Sequence, residues 1–293
     1  MTLRFFILYF LYINLHAIDT YFVVSENFKN ISNHVLDSQK KTINFNPKKV
    51  NTGDIIFLAT DSLRIFVNIY KKIKKPYILI THDSDANSPG KYHAILNHQN
   101  LFHWFGENPS YKHPKLTPIP LGPHQFGHLK NSIWGKEYYK ILKEGPYSSK
   151  KNINVLCNFS TKTFPAERKK TLSHFKNKPY VTIHYTGKNV CKYLNDLKKT
   201  KFVLNPRGGG LDCHRTWEAL AVGCIPITIT SLLDDLFENL PILIIKNWEE
   251  VNEKFLEQKY KDLMQKKYNY KKLNFNYWKN IILKKQREIK LIN

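Results

Sequence analysis

Between Lys201 and Ile227 the chain reads KFVLNPRGGGLDCHRTWEALAVGCIPI, which packs several chemically able residues into one short span. Arg207 and Arg215 are cations for phosphate, Glu218 is a carboxylate for hydroxyl groups, and Gly208, Gly209 and Gly210 lie between them. Glycines ahead of a helix let backbone N–H groups approach an anion, which the helix dipole also favours. One cation for phosphate and one carboxylate for ribose hydroxyls suits a nucleoside diphosphate ligand. The spacing predicts a strand at Phe202–Leu204, a glycine loop, a helix capped by Asp212 and running to about Val222, and a strand at Ile225–Ile229. Gly223 supplies the helix stop. On that helix His214, Arg215 and Glu218 share one side, and Cys213, Thr216, Trp217 and Leu220 the other. His214 reads equally as a phosphate contact or a structural histidine. Asp212 reads as a cap before a catalyst.

A second group follows the apolar run Tyr77–Thr81. His82, Asp83 and Asp85 stand where a strand would end, and an imidazole or carboxylate there can accept a proton from a hydroxyl nucleophile. The bland alternative is an Asx-turn cluster closing the strand. Trp104, Phe105 and Asn108 are candidates to line an acceptor pocket, although large aromatics more often fill a core. Ser160, Thr161 and Arg168 follow a third strand-like segment and are placed to touch a diphosphate, or to cap and decorate a helix.

Strand-like and helix-like segments alternate around these groups, which argues a parallel α/β sheet. Candidate strands are Tyr21–Val24, Gly53–Leu58, Tyr77–Thr81, Leu101–Phe105, Thr117–Pro120, Ile153–Leu156, Tyr180–Tyr185 and Pro241–Ile245. Helical stretches are expected near Phe28–Val35, over Leu63–Ile73 behind an Asp61 cap, and at Pro165–Phe175, Cys191–Leu197, Trp248–Gln265 and Tyr270–Glu288. Residues 123 to about 150 are polar and irregular and read as a connector. This pattern alone fits one large doubly wound domain or two smaller halves.

The formal charge is +23, from 46 basic and 23 acidic residues among 293. Most of the excess is scattered lysine accompanied by Asn, Ile, Tyr and Phe, as AT-rich codons would give, and no nucleic-acid-binding signature is present. Nucleic acid is therefore not the expected partner, although a basic nucleic-acid-binding protein stays as a distant alternative. The positive field suits phosphate-bearing ligands or anionic glycans. Cysteines at 157, 191, 213 and 224 fit no zinc spacing. Buried free thiols are the default, with a disulfide left open if the chain is exported. At the N-terminus one basic residue, Arg4, precedes an apolar run from Phe5 to about Leu15, and Ala17 stands at a candidate cleavage site. Residues 1–18 read as a signal peptide or signal anchor, giving a secretory, periplasmic or membrane-associated protein. If this run is instead a buried first strand, a cytoplasmic protein is expected.

Arg207-Gly…Asp212-Cys-His-Arg215-x-x-Glu218-Ala-Leu…Gly223-Cys-Ile-Pro resembles the C-terminal signature of exostosin-like glycosyltransferases, family 47 and its relatives. The stretch Ile80–Asp85, with His103-Trp-Phe…Asn108-Pro…His113-Pro-Lys-Leu…Ile119-Pro-Leu-Gly122, is similar to the N-terminal half of small proteins of that group. The resemblance covers roughly residues 53 to 250. It implies a GT-B-like α/β fold, with two Rossmann-type domains whose parallel sheets face a cleft. The domains would be 19–150 on the acceptor side and 151–293 for the nucleotide sugar, the latter with a C-terminal helix that in such folds often packs back on the first domain. The implied activity is transfer of a sugar from a nucleotide-sugar donor to a glycan or lipid-linked hydroxyl, by an inverting route. Arg168, Arg207, Gly208–Gly210, His214, Arg215 and Glu218 would hold the donor. Asp85, His82 and Asp83 would supply the base, and Trp104 and Asn108 the acceptor site. Related sequences carry Asn where Asp83 stands. Beyond the co-substrate no cofactor is implied, and no divalent metal is expected. Asp83-Ser-Asp85 spells a metal-binding pattern outside a donor-loop context, so that question stays open. A non-catalytic nucleotide- or glycan-binding protein of the same fold is the alternative.

Overall fold

A computed structural model describes residues 21–37, 45–125, 132–145, 150–185 and 189–292. The signal-peptide reading of residues 1–18 lies outside them. No helix among the described residues is long and apolar enough to cross a membrane.

The chain divides into two compact units, one formed by residues up to Leu121 with Lys271–Asn293, the other by Gly122–Tyr270. Each is an α/β unit on a five-stranded, wholly parallel sheet. The expected division at 150/151 therefore moves. The segment read as a connector carries a helix, α3 (Ile133–Lys143), whose buried Tyr138 bonds within the second unit. The C-terminal helix belongs to the first unit.

The first sheet runs in chain order: β1 (His34–Leu36), β2 (Asp54–Ala59), β3 (Tyr77–His82), β4 (Leu101–Gly106) and β5 (Leu116–Pro118). β2 and β3 are buried along their whole length, as parallel strands covered on both faces must be. Ile56, Leu58, Phe66, Tyr77, Leu79 and Trp104 anchor its core. Tyr21–Val24 forms only an isolated antiparallel bridge, Phe22 with Asn274, and a short helix α1 follows at Ser25–Asn30 instead of Phe28–Val35. The helix expected over Leu63–Ile73 breaks into short turns around α2 (Leu63–Phe66), and Asp61 gives no cap. The tail helix starts later than expected, at Phe275, and runs to Ile292.

The second sheet has the order β10-β9-β8-β6-β7, with β6 at Ile153–Cys157, β7 at Val181–Ile183, β8 at Thr200–Leu204, β9 at Ile225–Ile229 and β10 at Leu243–Ile245. Helices α4 (Pro165–Phe175), α5 (Val190–Lys198), α6 (His214–Ala221) and a short α7 (Asp234–Phe237) connect them, and α8 (Glu253–Met264) follows. Gly223 closes α6 with φ 75, a left-handed conformation that turns the chain straight into β9. The order reverses between β6 and β8, so the chain leaves these two neighbours in opposite directions, the arrangement at which open parallel sheets form a crevice outside the C-terminal strand ends. All four cysteines are free and buried, and burial pushes the Cys157 thiol up to about 11 and that of Cys224 to about 12.

Candidate functional site

In the second unit three arginines converge on the β6/β8 reversal. Arg168, from the first turn of α4, is buried and spends its fork on carbonyls. Its Nε donates to Arg207 O at 2.8 Å, Nη1 to Ser160 O at 3.0 Å and Nη2 to Pro206 O at 3.4 Å. It therefore clamps the loop after β6 to the loop after β8, and the direct diphosphate contact expected of it gives way to a brace. Arg215, from α6, donates from Nε to Asn158 O at 3.1 Å and from Nη1 to Asn205 Oδ1 at 3.3 Å. Both guanidinium groups lie 5.8 Å from the ring centroid of Phe159. Arg207 lies over the ring of Phe164 at 4.4 Å and donates to Gly209 O at 3.1 Å. Among the described residues no carboxylate forms an ion pair with any of the three. Burial lowers the Arg168 pKa, and the neighbouring Arg215 lowers it further, so positive charge is concentrated here.

Gly208, Gly209 and Gly210 do not adopt positive φ. What Gly208 provides is space, since a Cβ there would meet Arg168 Nη2 at 3.2 Å. Asp212 is not the cap of α6. Cys213 takes that position, while Asp212 accepts from the indole of Trp217 at 2.7 Å and from Cys213 N at 2.8 Å. The helix sides divide as expected in part: Thr216 and Trp217 are buried and Arg215 faces the loops. Glu218 is buried and pairs with neither solvent nor Arg215. Its Oε1 accepts from Tyr138 at 2.5 Å and from His124 N at 3.3 Å. His214 bonds through Nδ1 to Gly122 O at 2.8 Å and meets the His124 ring edge-on at 5.3 Å. Tyr138 and His124 escaped sequence reasoning because they fall in the segment read as a connector.

In the first unit the residues after β3 split into buried and exposed. His82 is fully buried and donates through Nε2 to Pro120 O at 3.0 Å, which removes it as a direct contact for an acceptor. Asp83 and Asp85 are exposed. Asp83 has φ 72 and pairs with Lys29 at 3.3 Å. Burial works against the Lys29 ammonium, but Asp37 and Asp83 outweigh it and raise its pKa. Beneath the loop lies Glu107, fully buried at the end of β4 and missed by sequence reading. It accepts from Ser84 N at 2.7 Å and Thr60 Oγ1 at 3.1 Å, and faces His82 Nδ1 at 3.7 Å. Burial pushes its carboxyl pKa well above the usual range. An acidic residue directly after the apolar strand Leu101–Gly106 was the available signal. Gly106 permits the close approach of Ser88, since a Cβ would lie 2.7 Å from Ser88 Cβ. Trp104 and Asn108 do not line an open surface. Trp104 is core, donating to Thr81 Oγ1 at 2.8 Å, and Asn108 is buried and bonds Ser84 O at 3.1 Å. Among the described residues no group of His, Cys, Asp or Glu gathers to hold a metal ion.

No family model matches the chain, and no curated protein matches it in sequence. Solved structures similar to it include a GtfA/B complex, at TM-score 0.41 and 10% identity over 82% of this chain and 59% of that one. Another is the pneumococcal O-GlcNAc transferase GtfA in complex with UDP and GlcNAc, at TM-score 0.35 and 10% identity over 83% of this chain and 55% of that one. The chain thus spans less than two thirds of the length of either.

Proposed function

We propose that this chain is a glycosyltransferase of the exostosin-like kind, moving a sugar from a nucleotide-sugar donor to a hydroxyl of a glycan or lipid-linked acceptor. The observation that carries the reading is the strand reversal between β6 and β8, with Arg215, Arg207 and the glycine loop beside it. Open parallel sheets bind ligands at such a reversal, and unpaired guanidinium groups there suit the charge of a diphosphate. Arg168 holds the two loops at the right separation. Arg215 and Arg207 would meet the diphosphate and stabilise it as it departs. The base comes from the exposed Asp83 and Asp85, with His82 and Glu107 supporting their loop. Inversion and independence from a resident metal belong to the same proposal.

The test is to incubate the chain with UDP-, GDP- and CMP-linked sugars and simple glycan acceptors while measuring nucleotide release. Acceptor-stimulated release that Asp85→Asn lowers by roughly 100-fold or more supports the reading. Nucleotide binding with no release from any donor favours a binding protein of the same fold.

A further inference from the structure

The exposed charges of the first unit differ between the two ends of its strands, although Arg64 and Lys91 are also exposed in the segments that follow β2 and β3. Asp61, Asp83 and Asp85 stand at the C-terminal ends of its strands. At the N-terminal ends the exposed charges are cations. Lys48 and Lys49 occupy a short turn ahead of β2, and Lys71, Lys72, Lys74 and Lys75 lead into β3. The C-terminal helix, α9 (Phe275–Ile292), brings two more. Gln286 donates to Gly53 O at 2.8 Å, just before β2, and the Lys290 side chain runs past the same glycine with Arg287 exposed nearby.

None of these cations forms an ion pair among the described residues, and the carboxylates of this end are taken. Asp54 is buried against His34 at 2.8 Å, and Glu288 pairs with Lys285 at 2.7 Å. His98 with Tyr70 and Lys71 lines a shallow depression of about 360 Å³ at this end. Its pKa is lowered by burial and then by Lys115 and Lys74. Amid this charge α9 ends in two apolar side chains, Leu291 at 87% and Ile292 at 74% exposure.

We infer that this end of the first unit docks on an anionic phospholipid bilayer. The cations come from separate segments of chain yet share one end of the sheet, as a planar layer of phosphates requires. They are mostly lysines, whose flexible point charges suit a diffuse anionic surface better than a geometrically defined site. Leu291 and Ile292 decide between partners: against nucleic acid they would meet only phosphate and water, whereas at a bilayer they enter the acyl boundary. The inference stands independently of the catalytic proposal.

The full chain is mixed with phosphatidylcholine vesicles, with or without about 30% phosphatidylglycerol, at about 0.1 M and about 0.5 M salt, and bound protein is measured by sedimentation. Each lysine near the surface is worth roughly fivefold. Anionic lipid should strengthen binding by roughly tenfold or more, with most of the gain lost at high salt. The variant Lys71→Glu/Lys72→Glu/Lys74→Glu should abolish that gain. Lys48→Glu/Lys49→Glu, on a separate turn, should reduce it too and keeps the test decisive if the triple variant misfolds. Leu291→Gln/Ile292→Gln should weaken binding to the anionic vesicles. Equal binding with and without phosphatidylglycerol, or variants indistinguishable from the parent, overturns the inference. So does binding to duplex DNA that the substitutions remove while vesicle binding stays unchanged.

Discussion

The two sheets have the same number of strands and the same parallel sense, yet the loops at their C-terminal strand ends are tied by side chains of opposite charge. In the first unit the strands run in chain order with no reversal, and the loops after β3 and β4 are tied by one buried carboxylate, Glu107. In the second unit the order reverses, and the loops after β6 and β8 are tied by one buried guanidinium, Arg168. Both devices solve the same problem, which is to satisfy backbone groups that leave a sheet in a buried setting. A carboxylate collects N–H donors, and the exposed groups above it are carboxylates. A guanidinium collects carbonyls, and the half-buried Arg207 and Arg215 beside it are cations. The brace in each unit thus carries the charge of the groups beside it, to which the proposal gives proton acceptance in one unit and anion binding in the other.

The largest effect should come from replacing the brace of the second unit. Arg168→Ala strands several buried carbonyls and should cost about 3 kcal/mol, lowering the melting temperature by roughly 5–10 °C in a thermal scan. Arg168→Lys keeps the charge without the fork and should recover less than half of that loss. A variant that melts with the parent would mean the clamp is incidental. On the first unit, Asp85→Asn should lower turnover by roughly 100-fold while nucleotide affinity holds, which separates the two surfaces in one pair of assays. If Asp83→Asn and Asp85→Asn both keep parental turnover, the base is elsewhere.

Gly208→Val tests the loop with less damage to the fold. The backbone there is ordinary, so strain is absent and only the 3.2 Å approach to Arg168 matters. A stability loss of about 1 kcal/mol with a much larger fall in nucleotide affinity is expected from melting curves beside a titration. A misfolded variant with no separable binding effect would make the loop structural.

The smallest effect concerns Glu107 and pH. Burial holds its carboxyl pKa above the ordinary 4.5, so the folded chain keeps a proton that the unfolded chain releases. The stability this gives is full below 4.5 and is lost as pH rises toward the raised value. Glu107→Gln has no such proton. Denaturant curves should therefore show the variant gaining on the parent as pH is raised above 4.5 through neutrality. A constant difference across that range would place a charged Glu107 in the folded protein at all these pH values.

Much of the fold was legible because buried parallel strands announce themselves as short apolar runs. Tyr77–His82 and Ile225–Ile229 match their sequence patterns closely, and Pro165 marks the start of α4. Short elements escaped. β1 has three residues and no pattern, and α3 hid in a segment read by its polar residues, although Tyr138, Tyr139, Ile141 and Leu142 form its buried side. The glycine loop and the placing of Arg215 were readable from spacing. The roles of Asp212, Glu218 and Arg168 were not, since each is decided by a partner distant in sequence or by an indole that the helix turns inward. Glu107 shows the same limit: its residue type was visible, but only the neighbouring strand end makes it a brace.

Nucleoside diphosphate binding at the β6/β8 reversal of the second unit is decided by calorimetric titration of the parent and Arg215→Ala with UDP, GDP and CDP. One of these should bind the parent one-to-one and bind Arg215→Ala roughly 10- to 100-fold more weakly, with the two proteins melting within a few degrees of each other. Equal affinity of parent and variant, or no binding of any nucleoside diphosphate by the folded parent, would contradict it.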